Sequence, residues 1–373
     1  MPPSSTSVVH LSAKPRNCGV DFLRCVLMYL IVVHHCCCHS GMEIGWMAQL
    51  AFLLTIPSVD GFAGISGWFG IRFTWRKLFK LLFQIAICSG SLTLVSEILF
   101  RLDVTSQRYV SIGVGWFGVC YVFMFFASPL IDRMINSLVR VGLGRMLLVL
   151  AWAAILAVWQ FVPATYCSFI PLSGSHSAGT LLLVYFTMRL FGGHGVFPWD
   201  RIHMSVPVML VSLALLLAIG VSGMLERHGI LTMVFGLYAS PVVIVLACSV
   251  VTVMARIQIP SRIGAFVSML APSMFSVYLL HDAHVFGREF LIVRPFRSFE
   301  GLVATSGALQ MVMILIWAAV VFVVTLTADV LVRRLLRMSI RIKFVGFPVL
   351  LPLAPAAVRF RDYIVRLVGN GLA

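Results

Sequence analysis

The sequence predicts an all-α membrane protein: one polytopic bundle of about ten transmembrane helices, with both termini in the cytoplasm. Two observations lead to this prediction. Hydrophobic residues make up 60% of the 373 residues and charged residues only 11%, with a mean hydropathy of +1.02, which is more apolar surface than a soluble protein of this size buries. Basic residues are also distributed unequally between alternate loops, as in multi-pass proteins of a cell membrane.

Ten apolar segments approach the ~20 residues that a helix needs to cross a bilayer. They cover residues 21–39, 47–70, 78–99, 112–131, 146–163, 178–192, 204–222, 230–254, 264–293 and 302–332. The loops between them are short, so we expect one transmembrane domain, residues 1–335. The remainder, 336–373, reads as a basic, amphipathic cytoplasmic tail lying on anionic lipid.

Loop charge predicts the orientation. Most lysines and arginines precede the first segment, follow an even-numbered segment or lie in the tail, and the alternate loops hold only Arg101, Arg108, Arg227, Arg288, Arg294 and Arg297. This bias places both termini in the cytoplasm of an inner or plasma membrane. The net charge of +15 is spread between apolar runs rather than along one face, so it does not indicate a nucleic-acid partner.

The first segment, DFLRCVLMYLIVVHHCCCH, carries the most informative pair of residues. Arg24 and His35 are eleven positions apart, about 16 Å along a helix and half of the ~30 Å hydrocarbon core. Ionisable residues in such helices are costly and suggest function. Arg24 would hold a phosphate or carboxylate, and His35 would act as a general base. The structural alternative is that Arg24 reaches the lipid headgroups and His35 caps a buried carbonyl.

The end of this segment also has the composition of a metal site. His35 and His39 share a helix face, but the sequence has no second ligand pair at zinc-like spacing. Three successive cysteines, Cys36 to Cys38, point in different directions around a helix and are more typical of small buried hydrophobic residues. We therefore predict no metal ion and no disulfide framework.

Two further acidic positions lie inside apolar segments. Asp60 would orient a histidine or pair with Arg24, or simply cap a helix that begins after Pro57. His281 and Asp282 would line the same cavity as His35, or bond across helices.

A cluster of cations follows the second segment. Arg72, Arg76 and Lys77 form a basic edge that would bind a polyphosphate ligand through charge-assisted hydrogen bonds. The alternative is that they are ordinary topology-setting charges.

Five motifs, in order along the chain, resemble those of the membrane-bound acyltransferase 3 family. They are R-x10-H at Arg24 and His35, ISGWFGIR from Ile65 to Arg72, Trp116 with Tyr121 and Pro129, YASP from Tyr238 to Pro241, and PSMFSVYLLHD from Pro272 to Asp282. Trp68 stands where the family usually has Tyr or Phe.

The resemblance implies transfer of an acyl group, acetyl by expectation, from acyl-CoA to a hydroxyl of a polysaccharide or its lipid-linked precursor. Acetyl-CoA would be a co-substrate, with no permanently bound cofactor. The catalytic residues would be His35, Arg24, Asp60 and His281, and Arg72, Arg76 and Lys77 would bind the CoA phosphates. The substrate would be lined by Ser66, Trp116, Tyr121, Tyr238 and Tyr278.

Two other classes of protein remain open. A secondary transporter or lipid-linked glycan flippase would also need ten spans and intramembrane His and Asp residues, although the paired repeats typical of transporters are not visible. A structural or lipid-binding component would explain the hydrophobicity but would leave Arg24, His35, Asp60 and His281 without a purpose.

Overall fold

A computed structural model describes residues 16–40, 45–100, 115–140, 145–167, 170–192, 202–225, 237–303 and 307–346. The fold of these residues is almost entirely helical. The α-helices are α1 (Cys18–His39), α2 (Trp46–Thr55), α3 (Pro57–Phe69), α4 (Trp75–Phe100), α5 (Trp116–Arg140), α6 (Arg145–Trp159), α7 (Ala178–Phe191), α8 (Ile202–Leu225), α9 (Pro241–Met254), α10 (Ser261–Leu270), α11 (Met274–His281), α12 (Arg294–Val303) and α13 (Gly307–Gly346). Two short antiparallel strands, β1 (Thr165–Cys167) and β2 (Ile170–Ser173), connect α6 to α7.

The all-α prediction is confirmed for the described residues, and each of the ten predicted segments contains a helix. Six helical stretches are long and apolar enough to cross a membrane: Cys18–His39, Trp46–Phe69, Trp116–Leu138, His203–Ser222, Ser261–His281 and Gly307–Arg334. The cysteines that the structure describes are free thiols. The predicted domain end at residue 335 falls inside α13, which continues to Gly346; residues 347–373 of the predicted tail lie outside the described residues.

Helix α1 lies at the centre of the bundle and contacts α2, α3, α9, α10, α11 and α13. Its start is fixed by Asn17, whose Oδ1 accepts from the Val20 backbone N–H at 3.0 Å and whose Nδ2 donates to the Ala255 carbonyl at 2.7 Å. This N-cap satisfies one of the helix's free N–H groups. The helix therefore begins three residues before the apolar run that predicted it.

The second predicted segment consists of two helices rather than one. Pro57 occupies the first turn of α3, where its missing N–H is tolerated, and the Ile56 N–H bonds to the Leu53 carbonyl at 3.2 Å instead of continuing α2. Asp60 lies within the first turn of α3. The cap position itself belongs to Ile56, so the predicted capping role of Asp60 is wrong.

The ninth predicted segment is broken more extensively. A single 3-10 turn, Ala271–Ser273, separates α10 from α11, and a π-helix, His284–Val293, follows α11. Pro272 lies in the 3-10 turn, where a proline interrupts regular helical bonding. These interruptions leave His281 and Asp282 at the end of a short helix against α1.

Glycines allow α3 to approach its neighbours closely. A Cβ added to Gly67 would lie 2.8 Å from the Cβ of Met188 and 2.8 Å from the Tyr185 carbonyl oxygen on α7. Small residues at such contacts let helix backbones pack within a membrane. The packing holds α3 against α7 and α9 beside the central helix.

We expect Gly67→Ala to destabilise the protein by about 1–3 kcal/mol, because the added methyl overfills the contact with α7. The matched control is Gly90→Ala on α4, where an added Cβ meets nothing within 4 Å. Thermal unfolding of the two variants in detergent would measure the difference. Equal stability of the two variants would contradict close packing at Gly67.

Candidate active site

Arg24 lies near the start of α1 and pairs with Asp21. The Asp21 carboxylate, 1% exposed, accepts from Arg24 Nη1 at 2.6 Å and from Arg16 Nε at 2.7 Å, and Ser268 Oγ donates to it at 2.8 Å. The predicted pairing of Arg24 with Asp60 is therefore wrong. The charge of Arg24 is balanced locally by a residue one turn earlier, whose role the sequence reasoning missed.

A cavity of about 230 Å³ begins at Arg24 and follows α1 as far as Ile31. Its walls are mainly apolar side chains of α1, α3, α4, α5 and α11. Its polar lining consists of Arg24, Ser66, Gln84, Tyr121 and Tyr278. Because Ile31 and His35 are four residues apart on the same helix face, the cavity ends about one turn before His35.

Three of the five predicted substrate-lining residues meet in this cavity: Ser66, Tyr121 and Tyr278. Ser66 Oγ and the Tyr121 hydroxyl are 3.3 Å apart, and Gln84 Nε2 donates to Ser276 Oγ at 2.7 Å. These bonds hold most of the polar lining in fixed positions.

His35 is buried and meets the end of α11. Its Nδ1 lies 3.0 Å from His281 Nε2 and 3.5 Å from Asp282 Oδ1. His281 Nδ1 is in turn 2.7 Å from the Val277 carbonyl oxygen. The structure thus brings together His35 and His281, which are 246 positions apart in the chain and which the sequence analysis assigned to one site.

The hydrogen-bond partners fix the tautomers of both rings. The Val277 carbonyl can only accept, so His281 carries its proton on Nδ1, and the Nε2 of a neutral His281 accepts. His35 must then donate from Nδ1, which leaves the lone pair on its Nε2. No described residue bonds to that nitrogen. An unprotonated, unpartnered imidazole nitrogen is what a general base requires.

Asp282 is held by Arg288 from the π-helix. Its Oδ1 accepts from Arg288 Nε at 2.8 Å and from Arg288 Nη2 at 2.6 Å. The guanidinium balances the carboxylate beside His35, so the histidine relay lies next to a neutral pair rather than an isolated charge. From the sequence, Arg288 is counted as an ordinary loop charge. Its pairing with Asp282, six residues earlier, depends on the π-helix between them and has no recognisable sequence pattern.

Asp60 is fully buried and separate from this relay. Neither carboxylate oxygen has a hydrogen-bond partner among the described residues. Its electrostatic neighbours include Tyr238 and Cys248 rather than Arg24 or His35. The prediction that Asp60 orients His35 is not supported by this geometry: His281 and Asp282 are the residues in contact with that ring.

Trp116 and Tyr238, the two remaining predicted lining residues, are not among the residues that line the cavity. Tyr238 lies beside His34, and Trp116 packs on Tyr238 with ring centroids 5.8 Å apart. Tyr238 donates to His34 Nε2 at 3.2 Å, and His34 Nδ1 bonds to Thr55 Oγ1 at 3.0 Å. Trp116 and Tyr238 also hold the ring of His176 edge-to-face, at centroid distances of 5.1 and 4.7 Å. His176 lies in the loop after β2, where partial desolvation lowers its pKa, so its ring is neutral at pH 7.

By distance, His35, His39 and Asp282 form a possible metal site, with ligand atoms within 4.8 Å of one another. The set offers two imidazoles and one carboxylate. Arg288 already binds that carboxylate at 2.6 Å, so a divalent cation would sit beside a guanidinium. This repulsion disfavours a metal ion in the arrangement that the structure shows.

The predicted phosphate-binding residues are exposed at the end of the bundle near Arg24. Arg72, Arg76 and Lys77 lie on and after the turn that follows α3, and Lys77 Nζ donates to the Arg72 carbonyl at 3.2 Å. The turn begins at Gly70, whose positive φ of 72° favours glycine.

Three arginines from distant parts of the chain surround this turn. Arg24 lies 6.0 Å from the Phe69 ring centroid, Arg256 lies 5.9 Å from that of Trp68, and Arg189 packs against Gly70. Sequence analysis missed the roles of Arg189 and Arg256, since only the folded chain brings them to α3.

Comparisons of this chain with protein-family models, curated proteins and solved structures find no match. The resemblance to the acyltransferase 3 family therefore stays a prediction carried by the five motifs.

We expect Asp282→Asn and Arg288→Met each to destabilise the protein by about 2 kcal/mol, because each leaves a charged hydrogen-bonding partner unpaired. The double variant should lose clearly less stability than the sum of the two single variants. Chemical unfolding in detergent would measure this coupling. Strictly additive losses would show that the pair does not interact.

Proposed function

We propose that this protein is an integral-membrane O-acyltransferase. It would transfer an acyl group, acetyl by expectation, from acyl-CoA to a hydroxyl of a cell-surface or exported polysaccharide, or of its lipid-linked precursor. The supporting observation is His35: a buried histidine with an unpartnered Nε2, one helical turn beyond a cavity that begins at Arg24. The family resemblance supplies the donor and the acceptor, and ten spans with both termini in the cytoplasm belong to the same proposal.

The cationic end of the cavity suits the donor. CoA carries several phosphate charges, and Arg24, Arg72, Arg76 and Lys77 present guanidinium and ammonium groups at this end of the bundle. A guanidinium has five N–H donors, so Arg24 can bind a phosphate while it keeps its bond to Asp21. The apolar walls would take the pantetheine arm, and the ~16 Å from Arg24 to His35 along α1 is the distance that this arm would bridge.

At the far end of the arm, His35 Nε2 would take the proton of the acceptor hydroxyl as its oxygen attacks the thioester carbonyl carbon. The carbon–sulfur bond then breaks, and the departing thiolate receives the proton from the His35 imidazolium. His281 would keep the His35 ring in the required tautomer throughout. Formation of an acetyl-imidazole on His35 is the alternative route.

The acceptor would reach His35 past the aromatic group of Trp116, His176 and Tyr238. His176 is the exposed member of this group, and Tyr238 contacts His34, the neighbour of His35 in the chain. A sugar ring has apolar faces that pack on aromatic side chains, which suits a glycan better than a small aliphatic alcohol.

The first test uses membranes that contain the protein, acetyl-CoA and a glycan acceptor, with release of free CoA thiol as the measurement. We expect glycan-dependent thiol release, and His35→Ala should reduce it by about 10²–10⁴-fold because the general base is lost. His203→Ala, an exposed histidine on α8, is the matched control. Full transfer by His35→Ala would defeat the assignment, and glycan transport without thiol release would favour a flippase.

A second variant tests the donor end. Arg24→Gln should raise the KM for acetyl-CoA by about 10–100-fold, since a charge-assisted hydrogen bond of about 1.5–3 kcal/mol is removed. The KM for the glycan should stay unchanged, because Arg24 lies at the opposite end of the cavity from His35. Initial rates over a range of each substrate would separate the two effects. An unchanged KM for acetyl-CoA would remove Arg24 from the donor site.

A further inference from the structure

The hydroxyl of Tyr278 is a buried polar group that the relay described above does not use. Tyr278 is 3% exposed and lines the cavity, yet its hydroxyl has no hydrogen-bond partner among the described residues. A buried hydroxyl without a partner destabilises a folded protein, and such groups call for an explanation.

This hydroxyl lies where the cavity meets the histidine relay. The Tyr278 ring is edge-on to the His281 ring, with centroids 6.0 Å apart, and His281 bonds to His35. The hydroxyl and Asp282 Oδ2 both abut Gly115, because a Cβ there would overlap both atoms. Asp282 Oδ2 likewise has no partner among the described residues that meets the distance and angle of a hydrogen bond, but it is the acceptor that this hydroxyl faces.

Gly115 immediately precedes α5, so the N-terminus of that helix points at the same place. The first N–H groups of an α-helix have no partner within the helix, and they carry a partial positive charge. Helix α5 is 25 residues long. Its end and the Tyr278 hydroxyl together offer hydrogen-bond donors and positive potential beside the cavity, which Phe117 and Tyr278 line.

The other polar groups that line the cavity are already engaged. Tyr121 contacts Ser66, Gln84 donates to Ser276, and Arg24 pairs with Asp21. His281 bonds through both ring nitrogens. Among the hydroxyl groups that line the cavity, that of Tyr278 is the one with no hydrogen-bond partner in the part of the chain that the structure describes, and the remaining N–H donors of Arg24 lie at the opposite end of the cavity.

We propose that the Tyr278 hydroxyl, supported by the N-terminus of α5, is the oxyanion donor of the acyl-transfer reaction. This inference rests on the proposed function. As the acceptor oxygen bonds to the thioester carbon and His35 Nε2 takes its proton, the carbonyl π electrons move to the carbonyl oxygen. The Tyr278 O–H donates to that oxyanion. When the carbonyl re-forms, the carbon–sulfur bond breaks, and the thiolate takes the proton from His35.

Such a donor stabilises charge that develops only in the transition state, so its removal lowers kcat rather than weakening substrate binding. Asp282 Oδ2 is an alternative acceptor for the Tyr278 O–H, and the bond from Arg288 to Asp282 at 2.6 Å reduces the negative charge with which that carboxylate competes. The proposal therefore requires Asp282 to stay paired with Arg288.

The test is Tyr278→Phe, which removes one oxygen and keeps the ring packed against Phe117 and His281. We expect kcat for thiol release to fall by about 10²-fold or more, the loss typical of one oxyanion donor, with the KM for acetyl-CoA within about twofold of its original value. The control is Tyr29→Phe, which also removes one hydroxyl inside the bundle, one that donates to the Leu315 carbonyl at 3.0 Å. Thermal unfolding in detergent checks that both variants are folded.

Each outcome is decisive. Wild-type kcat in Tyr278→Phe, with His35→Ala inactive, would overturn the oxyanion role and leave the proposed function standing. A loss of kcat no larger than that in Tyr29→Phe, or a loss expressed as a raised KM, would assign Tyr278 a structural role and also overturn it. Absence of thiol release by the wild-type protein would refute the proposed function itself, and this inference with it.

Discussion

The hydrogen bond between His35 and His281 is the contact on which the candidate site depends. It joins α1 to α11, and the Val277 carbonyl sets its direction by accepting from the other nitrogen of His281. Two buried imidazoles in an apolar bundle are costly unless their polar atoms are satisfied. The relay satisfies three of the four ring nitrogens and leaves Nε2 of His35 without a bond from the described residues. The same bonds that stabilise the buried pair therefore leave one nitrogen ready for chemistry.

Irregular backbone makes this contact possible. The 3-10 turn at Pro272 and the π-helix after Asp282 shorten α11 and bring both His281 and Arg288 towards α1. A continuous α-helix would place Arg288, six residues after Asp282, about 120° away around the helix, whereas the irregular backbone lets the two side chains pair. Non-helical backbone is tolerated inside a membrane only where protein surrounds it. The irregular backbone on either side of α11 lies beside α1, the most central helix of the bundle, and this position agrees with that rule.

Charge is divided between the two ends of the cavity. Arg24, Arg72, Arg189 and Arg256 lie around the turn that follows α3, whereas the end near His35 contains imidazole rings and the compensated pair of Asp282 and Arg288. A polyanionic ligand would be attracted to the first end rather than the second. Asp60 stands apart from this division: the structure shows a buried carboxyl without a described hydrogen-bond partner, and we have no physical account of it.

Composition and periodicity alone determined the helical class, the position of the apolar segments and the placement of Arg24 and His35 on one helix, because hydrophobicity and helical rise are local properties. The tertiary structure decided the partners. Arg24 bonds to Asp21 rather than Asp60, His35 to His281, and Asp282 to Arg288, and the cavity takes in Tyr278 but not Tyr238. The pairing of His35 with His281 joins residues 246 positions apart, and that of Asp282 with Arg288 depends on the helix break between them. No local pattern encodes either, whereas the three-residue spacing of Asp21 and Arg24 is a local one.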